Sequence, residues 1–438
     1  MRLVLPFTGS RGDVQPGLAL AVELADRGHS VLFGAPPNLV AFATAATNAV
    51  DDITVVPFGP DTEELLGSDL VRTRIKSRNP RRRLAALAEL ANYGWDEMTA
   101  QLAAMVDGAD ATVTGTLGQE MTFNIAEANA IAFVALHYCP IRSNGSMSVL
   151  PGRTLPTPIN RGAWWLLETV RWRSMKEREN RQRRELGLPG TVLPLPERIA
   201  RYGGTEIQAY ESALFPGLED EWAGRRPFVG FLESRPASAS SSTDAEVGTP
   251  LREWIDEGAA PVYFGFGSMP VRDPHALLDA IEQACDNGGH RALVSSGWTT
   301  LPERLSPGAA VAVTGPLDHA TVFPLCRAAV HHGGAGTTAA SIRAGLPVMV
   351  CWFSADQPFW GAALEQVGAG TSMGFSQLDG RKLADGLEIV TSDRAARKAQ
   401  ELAAAMTLPA DAVRAAADIV ENAVRRKNAD RTGSHQKR

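Results

Sequence analysis

Short apolar runs alternate with helix-forming stretches along most of this chain, and that alternation restricts the fold more than any other feature. The first run spans residues 3–7, and a helical pattern follows over residues 15–27 with Gly28 as its stop. A short, wholly apolar run is typical of a parallel strand that is buried on both faces. The alternation therefore predicts α/β structure with doubly wound parallel sheets.

One stretch of small and polar residues interrupts the alternation. Residues 234–250 read SRPASASSSTDAEVGTP, which offers too few large apolar side chains to join a core. We therefore predict a first domain over residues 1–233, a linker over residues 234–250, and a second domain over residues 251–425. Residues 426–438 are polar and basic, and we expect them to form a disordered tail.

The composition excludes several classes of protein. The chain has 438 residues with 49 acidic and 43 basic side chains, so its net charge of −6 argues against a nucleic-acid partner. The four cysteines lie far apart without CxxC spacing, which is typical of reduced thiols in the cytoplasm. No apolar run is long enough for a transmembrane helix. These features predict a cytoplasmic protein.

The most informative motif is HHGGAGTT at residues 331–338, between a predicted strand and a predicted helix. Glycines let the backbone approach a ligand, and the free N–H groups at a helix start favour an anion. The motif therefore predicts a diphosphate site, although no Walker-type GK[ST] follows. The alternative is a tight turn with two buried histidines. The candidate ligands are His332, Gly333, Gly334, Gly336 and Thr337.

Two further strand ends are predicted at the same edge of the second sheet. Ser268 ends the sequence GFGS and is a candidate donor to the same diphosphate, with an ordinary strand-to-helix turn as the alternative. Asp356 and Gln357 combine a carboxylate with an amide, which suits neighbouring hydroxyls of a sugar. The alternative for Asp356 is a helix cap.

The first domain offers one candidate acid. Asp13 follows the first predicted strand, where a carboxylate can accept the proton of a hydroxyl, or can simply cap the helix. The residues before it, Ser10, Arg11 and Gly12, are candidates for an acceptor-binding loop. His137 follows another strand and is a further candidate for that loop, with a buried structural histidine as the more usual explanation.

A basic helix with aromatic residues is predicted over residues 161–186. It contains Trp164, Trp165 and Trp172 among eight Lys and Arg side chains, a combination that suits contact with an anionic membrane surface. The alternative is a helix that packs its aromatic side chains on the core and solvates its charges. The first interpretation predicts peripheral association with the inner face of the cell membrane.

Five segments together resemble a known family: GSRGDVQP, GFGSMP, HHGGAGTT, AGLPVMV and SADQPFWGA, in this order along the chain. They are similar to nucleotide-sugar glycosyltransferases of the GT-B fold. The branch they resemble contains sterol glucosyltransferases, glycopeptide-antibiotic glycosyltransferases and mycobacterial glycopeptidolipid glycosyltransferases. The resemblance extends over nearly the whole chain. It implies two Rossmann-like domains that face a central cleft, with the acceptor in the first and the nucleotide sugar in the second.

The resemblance also implies roles for matched residues. Asp13 matches the general base, and Asp356 with Gln357 matches the pair that binds the donor sugar. Ser268 and the HHGGAGTT turn match the diphosphate site. Two features of plant relatives are missing: no histidine precedes His29, so their histidine base is absent, and Thr314 stands near the place of the tryptophan that stacks on uracil. Trp298 is a candidate replacement for that aromatic face.

The implied reaction is an inverting, metal-independent transfer of a hexose or 6-deoxyhexose. The donor is a UDP- or dTDP-sugar, and the acceptor is a hydroxyl of a lipophilic molecule such as a glycolipid, sterol or antibiotic-like product. No cofactor is expected beyond this co-substrate. Glu365 is followed seven residues later by Ser372, so the paired glutamates of retaining relatives are absent. The alternatives are a nucleotide-sugar 2-epimerase of the same fold and an inactive nucleotide-binding protein.

Overall fold

Two parallel sheets form the framework of the protein. The structure is a computed structural model that describes residues 1–74, 79, 82, 85–86, 89–90, 93–150, 155–233, 248–267, 269, 271, 273–296 and 304–435. Within these residues, the strands form two six-stranded sheets, with strand orders β3-β2-β1-β4-β5-β6 and β12-β11-β10-β7-β8-β9. The prediction of two doubly wound α/β domains is confirmed.

The first sheet consists of β1 (Arg2–Pro6), β2 (Ser30–Ala35), β3 (Ile53–Pro57), β4 (Ala111–Thr114), β5 (Ala132–His137) and β6 (Thr205–Gln208). The helices of this half are α1 (Arg11–Asp26), α2 (Val40–Thr47), α3 (Thr62–Gly67), α4 (Asp69–Arg72), α5 (Trp95–Met105), α6 (Gln119–Ala128), α7 (Thr157–Glu185), α8 (Leu195–Tyr202) and α9 (Leu218–Trp222). Its central strands are buried on both faces because helices pack against each of them.

The second sheet consists of β7 (Val262–Gly265), β8 (Ala292–Ser295), β9 (Val311–Thr314), β10 (Ala328–His331), β11 (Val348–Trp352) and β12 (Gly370–Gly374). The helices that follow the linker are α10 (Thr249–Asp256), α11 (Pro274–Gly288), α12 (His319–Val322), α13 (Ala335–Arg343), α14 (Gln357–Val367), α15 (Gly380–Val390), α16 (Asp393–Ala405) and α17 (Pro409–His435). Of the predicted linker, residues 234–247 lie outside the described residues, and Thr249 already belongs to α10.

The C-terminal helix α17 returns to the first domain. Ala416 and Val420 lie in the same core as Leu24 of α1, and Arg27 forms a 2.6 Å ion pair with Asp418. This differs from the predicted boundaries, which assigned residues up to 425 to the second domain. The reason is the apolar stripe of α17, which is buried against the first sheet rather than the second.

Residues 426–435 also differ from the predicted disordered tail, because they continue α17. Arg426 donates a 3.0 Å hydrogen bond to Thr205 at the start of β6, and the Lys427 ammonium lies 3.3 Å from the centre of the Tyr202 ring. These contacts bind the basic segment to the first domain. The final residues, 436–438, lie outside the described residues.

Aromatic side chains pack the two domains together. Trp360 on α14 is fully buried, and its ring centroid lies 5.6–6.0 Å from those of Phe231, Phe215 and Tyr210 in the first domain. Aromatic pairs of this kind contribute about 0.5–1.5 kcal/mol each beyond the area that they bury. The interface therefore positions α14 directly against the segment that follows β6.

Candidate active site

Asp13 lies in the first turn of α1, immediately beyond the carboxyl end of β1. Its Oδ2 accepts hydrogen bonds from the backbone N–H of Ser10 at 2.6 Å and from the Ser10 hydroxyl at 2.7 Å. Its Oδ1 accepts a third, from the Tyr138 hydroxyl at 2.7 Å. Gly9 has a φ of +112°, and a Cβ there would lie 2.5 Å from Asp13 Oδ2, so this turn requires glycine. The carboxylate is thus fixed by three donors.

Burial raises the pKa of Asp13 above its ordinary value, and the hydrogen bonds from Ser10 and Tyr138 partly offset that effect. The pKa of Tyr138 is also raised, chiefly by burial, so its hydroxyl keeps the proton that it donates to Asp13. The contact with Ser10 is a helix cap, as one interpretation of the sequence predicted. The same carboxylate therefore caps the helix and has a shifted pKa, as candidate catalytic acids and bases often do.

Asp356 lies at the start of α14, beyond the carboxyl end of β11. Its Oδ2 accepts a 2.8 Å hydrogen bond from the indole N–H of Trp360. Burial raises the pKa of Asp356, and the negative charge of Asp13 raises it further. The two carboxyl groups therefore interact across the cleft although they belong to different domains.

The neighbouring Gln357 is buried, and its two polar atoms have separate partners. Its side-chain oxygen accepts hydrogen bonds from the backbone N–H groups of Phe353 at 2.7 Å and Ser354 at 3.2 Å. Its amide nitrogen lies 3.6 Å from the sulfur of Met269, in the segment that follows β7. Gln357 thus fixes the loop after β11, and its NH₂ group is directed toward the loop after β7.

The predicted diphosphate turn connects β10 to α13. Thr338 N–H donates the first helical hydrogen bond to the carbonyl of Gly334 at 2.9 Å, so α13 begins within the glycine sequence. A Cβ at Gly334 would lie 2.6 Å from His332 Nε2, whereas a Cβ at Gly336 would meet open space. Because Gly336 is exposed in the first turn of α13, the N-terminus of this helix is accessible to an anion.

The two histidines of this turn have different environments. His331 is fully buried, and its Nδ1 accepts a 3.0 Å hydrogen bond from the backbone N–H of Gly333. Burial lowers the pKa of His332 to about 4, so its imidazole is neutral near pH 7. Within the described residues, the buried Nδ1 of His332 has no hydrogen-bond partner. Among the described residues the Nε2 of His331 has no partner either, but His331 is fully buried, so the half-buried His332 is the better candidate for contact with a ligand.

The outcome differs among the other predicted site residues. Ser268 and Trp298 fall outside the described residues. Thr314 ends β9 at the edge of the second sheet, and its hydroxyl donates to the carbonyl of Gly315 at 3.1 Å. Arg11 and Gly12 are exposed beside Asp13.

His137 does not line an open loop. It is fully buried, with its Nδ1 3.2 Å from Gln208 and its Nε2 3.4 Å from Arg142. Burial lowers its pKa to about 3, with a further contribution from the Arg142 charge. The structure therefore corrects its assignment to the acceptor loop: His137 is a structural histidine within a buried polar network.

Two partners of the acids escaped the sequence analysis. Tyr138 is the first residue after β5, and the carboxyl ends of parallel strands meet at one edge of a sheet, so its position beyond a strand end was a signal. Trp360 is four residues after Asp356, which is the spacing of neighbours on a helix face. Both signals were local, but each needed the knowledge that the acid faces inward.

The long basic helix is present as α7, and its tryptophans have different environments. Trp164 is buried and donates to the carbonyl of Met147 at 2.8 Å, whereas Trp165 is 64% exposed. Among the described helices, none is long and apolar enough to cross a bilayer.

Family models match both halves of the chain. Residues 3–144 match the model described as glycosyltransferase family 28 N-terminal domain. Residues 305–428 match the model described as erythromycin biosynthesis protein CIII-like, C-terminal domain. The matched ranges contain Asp13 in the first case and His332 and Asp356 in the second.

Similar proteins extend over the whole chain. An uncharacterized glycosyltransferase of Mycobacterium tuberculosis (strain ATCC 25618 / H37Rv) is 40% identical over 430 residues, which cover 97% of this chain and 100% of that protein. A sterol 3-beta-glucosyltransferase of Arabidopsis thaliana is 28% identical over 93% of this chain and 63% of its own length. The glycotransferase of kitacinnamycin has a TM-score of 0.69 at 17% identity, covering 97% and 99% of the two chains. Glycosyltransferase VinC in complex with dTDP has a TM-score of 0.62 at 18% identity, covering 97% and 100%.

Proposed function

Since this chain belongs to the GT-B glycosyltransferases, we propose that it transfers a hexose or 6-deoxyhexose from a UDP- or dTDP-sugar to a hydroxyl of a lipophilic acceptor, with inversion at the anomeric carbon. The observation that carries the proposal is a pair of hydrogen-bonded carboxyl groups beyond strand ends of the two domains: Asp13 after β1, held by Ser10 and Tyr138, and Asp356 after β11, held by Trp360. This arrangement supports an acceptor hydroxyl at Asp13 and a donor sugar at Asp356 within one site.

The reaction follows from the environment of each group. Asp13 accepts the proton of the acceptor hydroxyl while that oxygen forms its bond to the anomeric carbon. The bond between this carbon and the diphosphate breaks on the opposite face, and the electron pair leaves with the diphosphate. The N-terminus of α13 and the neutral His332 stabilise the new charge, which is commonly the largest catalytic contribution. Because these groups supply the stabilisation, we expect no metal requirement.

The identity of the substrates is supported by similar proteins. VinC was crystallised with dTDP, which favours a nucleoside diphosphate in the second domain. The sterol 3-beta-glucosyltransferase of Arabidopsis thaliana favours a hydroxyl on an apolar acceptor. We also expect peripheral contact with an anionic membrane, supported by the exposed Trp165 and by the exposed basic side chains of Arg173 and Lys176, about two and three turns further along α7.

A thermal-shift panel of UDP- and dTDP-sugars tests the donor site, because a ligand that binds only the folded state raises the melting temperature. We expect at least one nucleotide sugar to raise it, and hydrolysis or transfer of that sugar to follow. An unchanged melting temperature with every member of the panel would contradict the proposal. Recovery of an epimerised nucleotide sugar would favour the 2-epimerase, and binding without turnover would favour an inactive protein.

Membrane contact has its own test. Sedimentation with vesicles of phosphatidylcholine alone and with added phosphatidylglycerol measures the contribution of anionic lipid. We expect binding only with the anionic lipid, and weaker binding when Arg173 and Lys176 are both changed to Gln. Equal binding to both vesicle types would reject an electrostatic contact.

A further inference from the structure

A groove of about 260 Å³ runs along one face of α7, close to the lower end of the size range of small-molecule sites. Seven residues of α7 line it, at the spacing of one helix face: Trp164, Leu167, Glu168, Arg171, Trp172, Met175 and Glu179. The opposite wall contains residues 140–142 after β5 and residues 194–196 at the start of α8. This α7 groove is separate from the predicted sugar and diphosphate residues.

The α7 groove is long and narrow. Trp164 and Glu179 are fifteen residues apart, which corresponds to about 22 Å along the helix axis. A volume of about 260 Å³ spread over that length gives a mean cross-section of about 12 Å², which leaves room for a single file of atoms. A helix with its side chains is about 10–12 Å in diameter. The groove therefore suits an extended chain and is too narrow for a helix of a partner protein.

The polar groups of the groove already have partners in the protein. The charged side chains on its wall are bound as follows: Glu120 with Arg171 at 2.5 Å, Arg142 with Glu206 at 2.5 Å, Glu179 with Arg198, and Glu168 with the backbone N–H of Ser143 at 2.9 Å. The indole N–H groups of Trp164 and Trp172 donate to the backbone carbonyls of Met147 and Val192.

This pairing determines the chemistry of the occupant. An ionic ligand would have to separate a paired, partly buried charge from its partner, which costs more free energy than a new surface contact returns. An uncharged apolar ligand leaves every pair intact and covers the rings of Trp164 and Trp172. The groove wall therefore selects an occupant without charge.

One end of the α7 groove adjoins the two carboxyl groups. Pro140 lies two residues after Tyr138, the donor to Asp13, so at most about 7 Å of backbone separates them. Phe359 lines the groove from the second domain, less than one helical turn beyond Asp356. Its ring centroid lies 6.0 Å from that of Trp164. An acceptor with its hydroxyl at Asp13 can therefore extend its apolar portion along α7.

We propose that the α7 groove binds a linear, uncharged alkyl chain of the acceptor. The assignment of this alkyl chain to the acceptor rests on the proposed glycosyl transfer. The affinity of the groove for an alkyl chain is independent of that proposal. The narrow cross-section favours a linear chain over a fused ring system, and the paired wall charges favour a chain without an ionic group.

Calorimetric titration of the full chain with 1-hexanol, 1-octanol and 1-decanol, without nucleotide, tests the proposal. A fully buried methylene increases affinity about fourfold. For this half-open groove we expect about twofold or more per methylene, and thus about 16-fold or more from hexanol to decanol. Equal affinity for the three alcohols, or no binding of decanol, would overturn the proposal.

Two adjacent leucines provide the matched variants. Leu167 lines the groove and is 51% exposed, whereas Leu166 is 56% exposed and does not line it. Because both are exposed, neither substitution removes a core side chain. We expect Leu167→Gln to weaken decanol binding at least fourfold and to flatten the chain-length dependence, and Leu166→Gln to leave both unchanged. Equal effects of the two variants would refute binding of the alkyl chain in the α7 groove.

Two further measurements distinguish this proposal from the proposed glycosyl transfer and from membrane contact. Thermal shifts with UDP, dTDP and their sugars on the same preparations report the donor site, so a failure of the proposed transfer is distinguishable from a failure of the groove. Vesicle sedimentation reports a membrane surface. If Leu166→Gln and Leu167→Gln both weaken vesicle binding while decanol affinity stays the same in each, the leucines contact a bilayer and the alkyl-chain proposal is wrong.

Discussion

Replacing Tyr138 with phenylalanine isolates one of the three donors to Asp13. The substitution removes the hydroxyl 2.7 Å from Asp13 Oδ1 and leaves both bonds from Ser10. It also removes the acceptor of a 3.3 Å bond from the Thr116 N–H. The Tyr138 bond favours the ionised carboxylate, so its loss raises the pKa of Asp13 beyond the rise that burial already causes.

The size of that rise follows from the strength of the bond. A hydrogen bond to a charged group contributes about 1.5–3 kcal/mol, and one pKa unit corresponds to about 1.4 kcal/mol. We take the lower end because Asp13 is half-buried rather than fully enclosed, which gives about one unit. As the pH falls, a base with a raised pKa becomes protonated sooner, so the enzyme loses activity at a higher pH. We therefore expect the acidic limb of kcat/KM to move up by about one pH unit in Tyr138→Phe.

Steady-state turnover of the best nucleotide sugar between pH 4 and 9 measures the limb. Tyr202→Phe is the matched control: its hydroxyl donates to the carbonyls of Ala126 and Ile131, in the same domain but remote from Asp13. We expect its pH profile to follow the wild type. An unmoved limb in Tyr138→Phe, or the same displacement in both variants, would show that Tyr138 does not tune the base.

Three more predictions follow from the same structure, and the third has a control variant, Arg181→Met. Asp13→Asn should lower turnover by about 10²-fold or more and leave the dissociation constant for UDP or dTDP unchanged, because it removes the base and not the donor site; turnover assays and calorimetry measure the two. His332→Ala should weaken nucleotide-sugar binding and lower kcat by about 10²-fold, measured by the same assays, whereas an effect on neither would remove it from the site. Arg198→Met leaves Glu179 buried without its cation and should cost about 3–5 kcal/mol in urea denaturation. Arg181→Met, which removes an exposed ion pair, should cost less than about 1 kcal/mol.

Local sequence was sufficient for the strands that define the sheets. The predicted strand over residues 3–7 overlaps β1, and the strand predicted before the HHGGAGTT motif is β10. The reason is physical: a parallel strand covered by helices on both faces must be apolar at successive positions, and little else in a chain has that pattern. The family prediction, a GT-B glycosyltransferase, is confirmed by the similar proteins. It was accessible from the sequence because the motifs that carry it follow the ends of predicted strands.

The packing of α17 against the first domain could not be predicted from local sequence. Ala412, Ala416 and Val420 recur every four residues, which predicts a helix with one apolar face but not the surface that the face covers. A helix of this kind satisfies its pattern against either sheet. The ion pair between Arg27 and Asp418 joins residues nearly four hundred positions apart, a relation that no local pattern contains.

The same distinction applies to the active site. The glycine turn before α13 was predictable because the candidate ligand residue His332, the glycines and the helix start are contiguous in the sequence. The position of Asp356 relative to Asp13 has another origin. Trp360 donates to Asp356 and packs its indole ring against Tyr210 and Phe231 of the first domain. Because one side chain makes both contacts, a displacement of Asp356 disturbs the domain interface, and a displacement of the domains changes the position of the carboxyl group relative to Asp13. The distance between the two acids is therefore a property of the interface rather than of either sheet.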